Sequence, residues 1–129
     1  MGKVRKTPIG EMHIVAPGVI VHRLDEGVSV TEADAAQVKR ASEELAGGKP
    51  VVIVVDMRAV AFAGRDARDA FQEGAGGVEI GTALLTGMGF SEKLAGLFKR
   101  YSAPSRPVEI FQREAEAIAW AEAMLAEQA

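Results

Sequence analysis

Val51-Val52-Ile53-Val54-Val55-Asp56-Met57 is the stretch on which the fold turns. Five consecutive β-branched residues favour a strand, and a run with no polar interruption suits one buried on both faces in an α/β sheet. Asp56 marks the point where that strand leaves the core.

Upstream of this strand, Thr31 can cap a helix whose apolar stripe is Ala35, Val38, Ala41 and Leu45, and Gly47-Gly48 ends it. Further upstream, EMHIV and VIVHRL flank Pro17-Gly18, a turn pair that makes the two segments a hairpin. Downstream, a helix from about Arg65 to Glu73 carries Ala67, Ala70 and Phe71 inward and stops in the glycine cluster at 74–77. VEIGTALLTG reads as a strand, and Ser91 caps a third helix with Leu94, Leu97, Phe98 and Tyr101 on its apolar side. VEIF is a last strand, and a helix over about Arg113 to Glu127 lines up Ile118, Ala121 and Leu125 with Trp120 and Met124 beside them. The order is β-β-α-β-α-β-α-β-α. It predicts an α/β fold: a mixed sheet of about five strands, an N-terminal hairpin followed by parallel β-α repeats, packed with about four helices. Residues 1–9 read as a partly loose, basic lead-in to a single domain over 1–129.

The 129 residues are enough for one core without metal or disulfide support, and 48% hydrophobic with 26% charged residues is a globular balance. A net charge of -3 argues against a nucleic-acid partner. The chain has no cysteine, which removes disulfides, thiolate metal sites and cysteine nucleophiles and suits a reducing cytoplasm. No apolar run has the length of a membrane span.

VVIVVDMRAVAF followed by a short helix resembles the core of STAS domains, the sulphate-transporter and anti-sigma-factor-antagonist fold. TEADAAQ, ELAGGKPVVIVVDMRAV, ARDAF, ALLTG, GLFKRYSAPSRPVEIF and EAEAIAWAEAML together resemble an uncharacterised bacterial STAS-like family (SpoIIAA-like, STAS/SEC14-related), from about Gly18 to the end. The resemblance implies a fold and no particular reaction. Regulatory STAS proteins carry Asp-Ser-Ser-Gly after the buried strand, with a phosphorylated serine. Here that stretch reads Ala63, Gly64, Arg65, Asp66, Ala67, with no hydroxyl.

Ligands of open α/β sheets sit at the carboxyl ends of strands, which makes Asp56 and Arg58 candidates for ligand binding. The alternative is an Asp side chain satisfying backbone amides as the strand exits. Arg65 stands where the phospho-serine is missing and is a candidate for an anion, against the reading of a solvated arginine paired with nearby acids. Gly87 and Gly89, with Ser91 at a helix start, have the context of a phosphate-cradling turn; Glu92 occupies the third glycine position and favours an ordinary strand-to-helix turn. If Pro17 and Gly18 are the two central turn residues, His13 faces His22 and the pair could begin a metal site lacking a third ligand.

Three functions stay open. The first is a non-enzymatic regulatory or protein-interaction module, cytoplasmic, homodimeric or docking on another protein, with no cofactor and no catalytic residue; it predicts an exposed apolar patch on a helix or edge strand. The second is a binder of a small lipid or nucleotide-like anion, which predicts a preformed apolar cavity. The third is a hydrolase or transferase using Asp56, which predicts a raised pKa and a neighbouring acid or base.

Overall fold

The computed structural model describes residues 4–26, 29–30, 32–59, 62–63, 79–87 and 107–128. Eight strands and two helices lie within them: β1 Val4–Thr7, β2 Gly10–Ala16, β3 Val19–Leu24, β4 Ser29–Val30, α1 Glu32–Ala46, β5 Val51–Asp56, β6 Phe62–Ala63, β7 Glu79–Leu85, β8 Val108–Phe111 and α2 Glu114–Gln128. Six strands form one sheet in the order β1-β2-β3-β5-β7-β8, while β4 and β6 pair separately. The β-branched run supplies β5, an interior strand of this sheet, parallel to β3 and β7; β7 and β8 are also parallel. The first three strands are antiparallel neighbours. The expected mixed architecture is therefore present. The helices expected at about 65–73 and from Ser91 lie outside the described residues.

Alternation along β5 divides its side chains between two cores. Val51 and Ile53 join Ile9, Met12, Ile20, Leu84 and the α1 residues Val38, Ala41 and Ala46 on one face. Val52 and Val54 join Val19, Val21, Ala83, Leu85 and the α2 residues Ala117 and Ala121 on the other. Burial on both sides is the reason a run of valines is stable here: each inward side chain removed from water contributes on the order of 2 kcal/mol. The first helix stops at Gly47 and Gly48, both at positive φ.

Two expectations are corrected. Val4–Thr7, read as part of a loose lead-in, is an edge strand registered on β2 from Val4↔His13 to Thr7↔Gly10. VRKT has a single large apolar residue, so no hydrophobic pattern announces it; backbone pairing and an Arg5–Glu44 ion pair to α1 hold it. The hairpin register is the second correction. Ala16 pairs with Val19 around Pro17-Gly18 as the turn implies, but a bulge between Ile14 and Ala16 shifts the rest by one residue. A Pro-Gly turn twists against the flanking strands, and one extra residue restores the twist. Met12 consequently faces His22, and His13 faces Val21.

Candidate functional site

Parallel pairing of β3 with β5 sets Arg23 opposite Asp56 at the carboxyl end of both strands. Both lie on the α2 face, because Val21 and Val54, two residues earlier, are in that core. The first residue of α2, Glu114, meets them there. It accepts two hydrogen bonds from the Arg23 guanidinium, one of them from Nη2 at 3.1 Å, joining residues 91 apart in sequence. Arg23 Nη1 also lies 3.5 Å from Asp56 Oδ2.

Arg58 completes the cluster by donating from Nε to Asp56 Oδ1 at 2.8 Å and from Nη2 to Oδ2 at 2.6 Å. Its backbone N–H adds a 3.3 Å bond to Oδ1, so the Asp56 carboxylate also satisfies the chain as it leaves the strand. Asp56 is 8% exposed, and its burial pushes the carboxyl pKa up. The Arg58 hydrogen bonds, then the charges of Arg58 and Arg23, outweigh that effect and hold it below its ordinary value. A hydrogen bond to Glu114 likewise raises the Arg23 pKa against partial desolvation. Two cations and two carboxylates thus form a charge-balanced cluster, with roughly half of each arginine side chain in solvent. The direction at Asp56 is the reverse of the raised pKa that its catalytic reading required.

The other candidates are dispersed. Gly87 follows Thr86 just beyond β7, on a neighbouring strand end, whereas Arg65, Gly89 and Ser91 lie outside the described residues. His22 points away from the cluster, since it follows Val21 on the strand and takes the face of Met12 and α1. It is fully buried, burial lowers its pKa to about 4, and its Nε2 lies 3.0 Å from Thr7 Oγ1. Among the described residues, His22 Nδ1 and Thr86 Oγ1 are buried without a hydrogen-bond partner. His13 instead lies 3.5 Å from Glu11. The two histidines are not brought together, and no group of three or more His, Asp or Glu among the described residues is placed to hold a metal.

Arg23 and Glu114 were not singled out from the sequence. A signal for Arg23 was present: aligning the carboxyl ends of the apolar runs VIVHR and VVIVVD in parallel register places Arg23 beside Asp56. Glu114 carries no comparable signal, because its position depends on how α2 crosses the sheet.

A family model described as Domain of unknown function (DUF7793) matches residues 12–125. No protein of curated function matches the chain. Among solved structures, an uncharacterised protein of the DUF3478 family with a SpoIIAA-like fold, from Shewanella loihica, is similar at a TM-score of 0.55 and 11% identity, over 94% of this chain and 92% of that one. An anti-sigma factor antagonist from Mycobacterium paratuberculosis reaches a TM-score of 0.47 and 16% identity, over 95% and 93%. The first likeness shows a SpoIIAA-like fold for this chain. No helix among the described residues is long and apolar enough to cross a membrane.

Proposed function

We propose that this chain, which belongs to the family described as Domain of unknown function (DUF7793), is a non-enzymatic regulatory or protein-interaction module that homodimerises through its N-terminal sheet edge. The observation that carries this reading is the pair Val4, 57% exposed, and Val15, 42% exposed, the large hydrophobic side chains left in solvent among the described residues. Val4 pairs with His13, and Val15, at the bulge, lies two residues farther along the same strand. The α2 helix packs on β3, β5, β7 and β8, so this edge is beyond the strands it covers. An exposed apolar patch on an edge strand is what an interaction module requires. The charge balance at Asp56 supports the non-enzymatic part, because a carboxylate held ionised by two arginines is a weak proton acceptor.

Sedimentation velocity tests the proposal. The wild-type chain is expected to be a dimer at high micromolar concentration, and Val4→Lys with Val15→Lys is expected to raise the dissociation constant more than tenfold, since each buried valine is worth on the order of 1.5 kcal/mol. Asp56→Asn should leave the dimer intact. A wild-type monomer throughout, or a dimer indifferent to both lysines, would overturn the reading.

A further inference from the structure

At the amino-terminal end of β5, the opposite end of the sheet from Asp56, a cavity of about 750 Å³ opens between the hairpin, the end of α1 and the end of α2. Its origin is legible in the chain. The connections at this end are Pro17-Gly18 and Gly47-Gly48-Lys49-Pro50, and no atom lies within 4 Å of where a Cβ would stand at Gly47 or Gly48. Ile14, Ile20, Leu45, Val51 and Leu125 form its apolar walls. The volume falls within the range of roughly 300–1,000 Å³ typical of small-molecule sites, and an apolar lining with few polar groups is their usual chemistry.

The polar groups are specific. Lys49 is the ionisable side chain among the lining residues, and Gln128 brings an amide. At the end of α1 the Glu43 carbonyl accepts from Gly47 N–H at 3.2 Å and the Ala46 carbonyl from Lys49 N–H at 3.1 Å, so these two terminal acceptors are occupied. A positive charge and an amide donor beside an apolar recess complement one kind of molecule.

We propose that this cavity binds a small anionic amphiphile, an apolar chain ending in a carboxylate, with the chain against Ile14, Ile20, Leu45, Val51 and Leu125 and the carboxylate at Lys49 and Gln128. The site is at the opposite end of β5 from the Asp56 cluster, and its wall residue Ile14 adjoins Val15 of the proposed dimer edge.

Titration of the full chain with decanoate below its aggregation threshold, followed by amide NMR, tests this. Saturable shifts are expected at Gly18 and Gly47, which line the cavity, and not at Gly10, which pairs with Leu24 at the other end of β3. Decanol should bind more weakly and decylamine most weakly. Lys49 is exposed, so Lys49→Glu should fold normally, weaken decanoate about fivefold or more and leave decanol unchanged. No saturable shift at the two glycines, a decylamine affinity matching that of decanoate, or an unchanged decanoate affinity in Lys49→Glu would each overturn the proposal.

Discussion

His22 and Arg23 are consecutive residues of β3, yet they meet opposite electrostatic worlds. His22 enters the α1-side core, fully buried, with one ring nitrogen near Thr7 and the other without a partner among the described residues. Arg23 leaves on the α2 side, 43% exposed and held by two carboxylates. The period-two geometry of a strand makes this possible: one residue step exchanges a medium that rejects charge for one that stabilises it. The lesson is that position on a strand face, more than residue type, decides whether an ionisable side chain is a charged group at all.

The contrast depends on register, and Gly10 guards the register. Its Cβ, were there one, would lie 1.9 Å from the Arg23 carbonyl oxygen, a backbone atom that cannot swing aside. Gly10→Ala must therefore force β2 away from β3 at the very residues being compared. The expected loss is about 3 kcal/mol or more in denaturant unfolding, the largest effect predicted here. A loss below about 1 kcal/mol would mean that the two strands are less tightly coupled at this end than their pairing implies.

A change of pH separates the two faces. The His22 pKa falls from 6.5 to about 4 on folding, so between those values the unfolded chain binds a proton that the folded chain refuses. Stability should decline as pH drops from about 6.5 to 4, by about 3 kcal/mol in total. Asp56 acts in a different window. Its folded pKa is below the ordinary 3.8, so its contribution is complete above that value and is lost only as the pH falls further, through the folded pKa. Unfolding midpoints across pH should show that His22→Gln flattens the first decline and leaves the second, whereas Asp56→Asn does the converse. If His22→Gln leaves the upper limb unchanged, His22 is accepting its proton within the fold and the contrast with Arg23 fails.

Much of this arrangement is legible in the sequence, and the reasons are physical. VVIVV has one comfortable environment, so β5 and its place inside the sheet followed directly, as did the stop of α1 at Gly47-Gly48. The hairpin turn was also readable, but the bulge was not: one unpaired residue leaves the hydrophobic pattern nearly intact while it exchanges the cross-strand partners of both histidines. For β1, stability comes from a neighbour's backbone and not from its own side chains, which no periodicity reports. At the candidate site, Asp56 and Arg58 were visible as a strand-exit pair, whereas the Arg23–Glu114 link depends on the tertiary placement of α2. The cavity lies at the amino-terminal end of β5, where the carboxyl-end rule gave no reason to look, and its apolar walls come from five different elements.

The charged side of the comparison can be sharpened further at equilibrium. Asp56→Asn, at constant neutral pH, leaves Arg58 and Arg23 facing an amide and should cost about 2 kcal/mol, less than Gly10→Ala because the arginines can turn to solvent. Arg23 and Glu114 form the weakest and most informative pair. Their geometry is forked, which favours a real contribution, but exposure screens it. A double-mutant cycle with Arg23→Met and Glu114→Gln should give a coupling of about 0.5–1 kcal/mol at low salt, shrinking as salt is raised. A coupling that salt does not alter would place the pair in a drier environment than its exposure implies. A coupling of zero would mean that the tie between β3 and α2 rests on the apolar cluster that includes Val19, Val21, Ala117 and Ala121, the charges riding on a contact that already fixes the helix.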